Sequence, residues 1–117
     1  MAYESREGHS VALGQGGSAY TTASSDAIKP PTDTVFVAIT MLEDTIFDSS
    51  AGLVASSPTR YINTETAAND LAASSETSDQ GSGGIVVDTV SFPQGVTIYG
   101  RWTEIDVASG SIIAYIG

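Results

Sequence analysis

Cysteine is absent from this chain, which excludes disulfides, thiolate metal centres and cysteine nucleophiles outright. Basic residues are scarce. Four Lys and Arg face fourteen Asp and Glu, for a net charge of −10. A phosphate-binding surface needs clustered cations, and Arg6, Lys29, Arg60 and Arg101 are scattered along the chain. No nucleic-acid partner is expected, and an anionic membrane surface is disfavoured for the same reason. No apolar run reaches the length of a membrane span. The N-terminus, Met1-Ala-Tyr-Glu-Ser-Arg-Glu-Gly8, lacks the basic and apolar regions of a secretion signal, so a soluble, cytosolically made protein is expected.

The catalytic repertoire is thin. His9 is the only histidine, and a site needs convergent groups. A Ser-His-Asp triad is compositionally possible with His9, but no nucleophile-elbow pattern accompanies it. Glu43, Asp44 and Asp48 form an acidic cluster without the alternating spacing and central glycine of an EF-hand loop. Glu104 and Asp106 share a face if their segment is a strand; a polar outer face explains them better than a glycosidase pair. Gly14-Gln-Gly-Gly17 and Gly81-Ser-Gly-Gly84 are too short and too poor in lysine for phosphate loops. No enzyme and no cofactor are expected.

What is present points to β structure. At 117 residues the chain bounds one domain and one core. With 41% hydrophobic but only 15% charged residues, its polar surface must come mainly from Ser, Thr, Gly and Asn, which suit strands and loops. The expected fold is all-β, a compact antiparallel sandwich or barrel over residues 34–117. An extended N-terminal arm, residues 1–33, precedes it, because its glycines, polar run and Pro30-Pro31 break every periodicity.

Thr34–Leu42 is the clearest strand, with Val35, Val37, Ile39 and Met41 on one face and Phe36, Ala38, Thr40 and Leu42 on the other. Thr45–Phe47 resumes as a strand, and Asp48–Gly52 is a loop. Thr64–Ser74 is the one helix candidate, with Thr64 as its cap. Ile85–Phe92 reads as a further strand, followed by a tight turn at Pro93-Gln94-Gly95. From Val96 to Val107 the apolar parity switches between Trp102 and Ile105, which calls for a bulge near Gly100–Thr103, with Gly100 the expected place. Ala108–Ser111 reads as a hairpin turn into the closing strand Ser111–Ile116.

Thr34–Leu42 and Ser111–Ile116 each carry two apolar faces, and one small core covers only one. A loop, a small helix or a second subunit could cover the other, and a homo-oligomer is the favoured reading. The candidate interface residues are Val11, Leu13, Ile28, Phe36, Arg101, Trp102, Ile113 and Tyr115. Arg101 and Trp102 are adjacent in a strand and must project to opposite faces, one into the core and the other toward an acidic group or a neighbour; a core Trp102 with a surface Arg101 is the plainer reading.

Three stretches carry a resemblance. Phe36-Val-Ala-Ile-Thr-Met-Leu-Glu-Asp-Thr-Ile-Phe-Asp48, Phe92-Pro-Gln-Gly-Val-Thr-Ile-Tyr-Gly-Arg-Trp-Thr103 and Ala108-Ser-Gly-Ser-Ile-Ile-Ala-Tyr115 together resemble small virion structural proteins of tailed bacteriophages, marine ones especially, among them capsid decoration (cement) proteins. The resemblance covers about residues 34–48 and 85–117, and its motifs are fold-like rather than catalytic. It implies a virion protein on the capsid surface, made in the host cytoplasm. Its partner would be the major capsid protein, its oligomer commonly a trimer, and its N-terminal arm would order on the shell. Deletion of residues 2–30 would then abolish capsid occupancy while leaving a folded domain. The alternatives are a head-fibre, neck or tail component and, in a different class, a carbohydrate-binding β domain using exposed aromatics among Tyr3, Tyr20, Tyr61, Tyr99 and Tyr115.

Overall fold

A computed structural model of the chain describes residues 16–58, 60–65 and 85–117. The fold is all-β and antiparallel. Among the described residues seven strands follow in chain order: β1 (Ser18–Thr22), β2 (Phe36–Met41), β3 (Ile46–Phe47), β4 (Leu53–Ala55), β5 (Thr97–Ile105), β6 (Val107–Ser109) and β7 (Ser111–Ile116). Five of them form one sheet in the order β1-β7-β2-β5-β4, and β3 and β6 pair as a separate two-stranded ribbon. Among the described residues there is no helix. Apart from Thr64 and Glu65, the helix candidate Thr64–Ser74 lies outside them.

The core lies on one face of the main sheet. Ile39 and Met41 of β2, Leu53 of β4, Trp102 and Ile105 of β5, and Ile112 and Ala114 of β7 are buried there. Phe47 of β3 and Val107 of β6 join the same cluster, so the ribbon forms the second layer. Phe47 meets Phe92 edge to face with ring centroids 5.6 Å apart, the geometry that the ring quadrupoles prefer.

β2 departs from simple alternation. Phe36, Ile39 and Met41 are all buried in the core, although Phe36 has the opposite parity to the other two. A register irregularity between Phe36 and Ala38, on both β2 ladders, accounts for it. Against β7 the extra residue is on β2, against β5 it is on β5, and the faces of β2 flip across it. Val35 is buried but outside that cluster, so the expected grouping of Val35 with Ile39 and Met41 fails.

The parity switch in β5 is also a bulge. Val54 pairs with Glu104 and Ala55 with Trp102, which leaves Thr103 as the extra residue. Trp102 and Ile105 thereby reach the same core within one nine-residue strand. Thr103 is the extra residue on the β4 side; on the β2 side the extra residue falls at Gly100–Arg101, opposite Val37 alone, at the glycine where the bulge is expected. That glycine is needed because the indole of Trp102 lies over it, and a Cβ there would sit 2.7 Å from Cζ2.

Of four further expectations, three are corrected and one is met. First, residues 18–28 are not an extended arm. β1 runs along β7 from Ser18↔Tyr115 to Thr22↔Ser111. Ile28 then exchanges backbone hydrogen bonds with Ile105 at 2.8 and 3.0 Å. Deleting residues 2–30 would therefore remove an edge strand and a core contact rather than isolate a domain. Residues 1–15 lie outside the described residues. Second, Ile85–Phe92 is not a strand. Val87 turns inward, its N–H donating to the Asn63 carbonyl at 3.0 Å, and only Phe92 forms a bridge, to Thr45. Third, the tight turn expected at Pro93-Gln94-Gly95 is present. Val96 N–H donates to the Pro93 carbonyl, and Gly95 supplies the positive φ of 89° at the third position. Fourth, Gly110 (φ 98°) is a corner and not a hairpin turn, because β6 pairs with β3 while β7 pairs with β1 and β2. A Cβ on Gly110 would collide with the Asp44 backbone.

Candidate functional site

Opposed residues in an antiparallel ladder put their side chains on the same face. Tracing the registers across the main sheet gives two rows on the side away from the core. One row is Ser18, Tyr115, Ala38 and Tyr99; the other is Tyr20, Ile113, Thr40 and Thr97. The rows span four strands, roughly 15 Å at about 4.8 Å per strand. Tyr20 and Tyr99 are 62% and 67% exposed, and Tyr115 and Ile113 are half-buried. Ala38 is small and sits between Tyr115 and Tyr99 in its row, where it is buried although it lies outside the core. The Thr40 and Thr97 hydroxyls hydrogen-bond across the strands at 2.9 Å. These two rows hold no charged residue: they consist of three tyrosines, small hydroxyls, Ala38 and one isoleucine.

The candidate interface residues divide between the two faces. Ile113 and Tyr115 belong to the outer surface. Arg101, two residues beyond Tyr99 on the same strand, is exposed there as well. Phe36 and Trp102 do not: both are sealed in the core of their own chain. Trp102 Nε1 donates to the Ile62 carbonyl at 2.8 Å, so its one polar atom is satisfied as well. Ile28 packs against the same core. Val11 and Leu13 lie outside the described residues, as do His9 and Tyr3.

Trp102 is held by a loop with its own internal frame. Asn63 is buried. Its amide donates to the carbonyls of Pro58 and Tyr61 at 2.9 and 2.8 Å, and its Oδ1 accepts from Glu65 N–H at 2.8 Å. Thr64 then pairs with Leu53 through its backbone N–H and its Oγ1. Sequence reasoning passed over Asn63. The signal available was a lone amide between the apolar pair Tyr61-Ile62 and the Thr64-Glu65 step.

The acidic residues do structural work. Glu43 Oε2 accepts from the Ser111 hydroxyl, Asp44 Oδ1 from Gln94 N–H and Asp48 Oδ1 from Ser50 N–H. Burial, then the charges of Asp48, Glu104 and Asp26, push the Asp106 carboxyl above its ordinary value. Lys29 approaches Glu104 at 4.0 Å. Among the described residues, no group of three or more His, Cys, Asp and Glu is placed to hold a metal ion. No helix among them is long and apolar enough to cross a membrane.

Compared with family models, with curated proteins and with solved structures, the chain matches nothing.

Proposed function

We propose that this chain is a non-enzymatic binding module that docks through its tyrosine-bearing sheet face. The observation that carries the reading is the contrast between the sealed core face and the outer face, where Tyr20 and Tyr99 stand 62% and 67% exposed. Tyrosine supplies large, amphipathic contact area with few rotatable bonds, and such side chains dominate interface energetics. The surface favoured for it to dock on is the assembled shell of a tailed bacteriophage, with the major capsid protein as partner. That choice rests on the sequence resemblance over residues 34–48 and 85–117. A protein that binds only the assembled shell stabilises it by mass action, and many repeated sites add avidity. On this reading it is a capsid decoration protein acting as a homo-oligomer, and a head-fibre, neck or tail position is the variant within the virion.

The three tyrosines also favour one reading of another class, a carbohydrate-binding β domain, because flat aromatic faces suit sugar rings. One experiment separates the two. Purified shells and a glycan array are each incubated with wild type and with the triple variant Tyr20→Ser/Tyr99→Ser/Tyr115→Ser. The decoration reading expects shell occupancy by wild type and its loss in the triple variant. Glycan binding that depends on the same tyrosines, with bare shells, would replace it by the carbohydrate reading. Binding unchanged by the triple variant would reject the face itself.

A further inference from the structure

The two edges of the five-stranded sheet differ in a way that specifies a partner. At the β4 edge, Leu53 is closed off: its carbonyl accepts from Thr64 N–H and its own N–H donates to Thr64 Oγ1, both at 3.0 Å. At the β1 edge, the ladder with β7 uses alternate residues. Ile116 N–H donates to the Gly17 carbonyl and Ala23 N–H to the Gly110 carbonyl. In the continuous register that joins these pairs, Ala19 and Thr21 also point their backbone groups at β7. Ser18 and Tyr20 therefore aim their N–H and C=O groups outward, and Thr22 its N–H, while the Thr22 carbonyl accepts from Ser25 N–H at 3.1 Å in the turn that ends the strand. Among the described residues, no strand pairs with that side of β1.

Exposed edges are ordinarily blunted by lysine, proline or a bulge. β1 has none of these. Its sequence is Ser-Ala-Tyr-Thr-Thr, its register against β7 is unbroken, and no charged residue occurs from Gly16 through Ser25. In a chain of net charge −10, that neutral edge is where two copies can approach with the least like-charge repulsion.

We propose that the β1 edge pairs with β1 of a second copy of this chain, antiparallel about a two-fold axis at Tyr20. Centring on Tyr20 sets Ser18 of each copy opposite Thr22 of the other, so the two Tyr20 residues exchange both backbone hydrogen bonds and each Thr22 N–H donates to the Ser18 carbonyl of the other copy. The pairing is isologous, because one edge meets itself. A head-to-tail ring through sheet edges would need the β4 edge, which Thr64 occupies. Pairing also brings the two Tyr20 side chains together on the outer face, which then runs unbroken across both copies. The trimer implied by the resemblance is incompatible with this edge as its contact. The inference stands apart from what the face binds.

The test is analytical ultracentrifugation of the full chain over a concentration series, with two variants. Tyr20→Pro removes an outward N–H and leaves the β7 ladder its donors, since proline is tolerated at a strand edge. Tyr20→Lys keeps the N–H and sets two like charges together at the axis, so that a folding defect in the proline variant does not decide the matter. The expected result is a wild-type dimer whose dissociation constant rises about tenfold or more in each variant, with the far-ultraviolet circular dichroism of Tyr20→Lys unchanged. A wild-type monomer, a trimer, or a dimer indifferent to both substitutions overturns the proposal. A full chain that stays monomeric while a chain lacking residues 1–15 dimerises also overturns it, and assigns the edge to the chain's own N-terminus.

Discussion

On one face of the main sheet, Ile39, Met41, Trp102, Ile105, Ile112 and Ala114 are sealed under the β3–β6 ribbon and the loop around Asn63. On the other, the same central strands present Thr40, Thr97, Tyr99, Ile113 and Tyr115, with Tyr20 added by β1. The first set has its partners within the chain. The second makes few demands on folding, because hydroxyls and tyrosines tolerate water. Substitutions on the inner face should therefore be read in stability, and those on the outer face in binding.

The largest expected effect tests the inner face. Trp102→Ala empties the place of a fully buried indole and leaves the Ile62 carbonyl without its donor. It should cost about 3–5 kcal/mol in equilibrium unfolding by denaturant. A loss below about 1 kcal/mol would mean that the indole is not packed as described.

Tyr99→Ser tests the outer face. Its stability change should stay within about 0.5 kcal/mol, as at other surface positions free of special contacts, while affinity for the docking target falls measurably in a titration. A large destabilisation would show that the face carries fold energy, and the contrast between the faces would collapse.

The smallest effect comes from the acidic rim. Burial and three neighbouring carboxylates raise the Asp106 carboxyl above its ordinary value, so in that window the folded chain holds this proton more tightly than the unfolded chain. Stability then falls as pH rises through the window and recovers as the group protonates. Asp106→Asn should melt slightly higher than wild type at neutral pH. The difference should close on acidification through the carboxylate range. A gap that widens on acidification would reverse the sign of the shift.

Legibility followed the strength of local pattern. β2 and β7 stood out as short β-branched runs, and the parity switch in β5 located a bulge to within a few residues. Ser18-Ala-Tyr-Thr-Thr22 has too little apolar content to announce a strand; it is one because the edge of β7 offers it a ladder. Ile85–Phe92 has the composition of a strand, yet Val87 is drawn to Asn63. The candidate interface residues divided between the two faces. Ile113, Tyr115 and Arg101 reach the outer side, but Phe36 was assigned there by an alternation that the bulge in β2 reverses. Trp102 is core because Gly100 and the Asn63 loop make room for its ring.

By itself the sequence determined a small, acidic, cysteine-free, all-β chain with β2, β5 and β7 as its apolar strands. These properties depend on composition and on neighbours a few residues apart. Only the tertiary structure decided the order β1-β7-β2-β5-β4, the gathering of Tyr20, Tyr99 and Tyr115 on one surface, and which sheet edge has no strand beside it among the described residues. Strand order and register join residues far apart in the chain. A bulge of one residue, invisible in composition, reassigns every side chain beyond it to the opposite face.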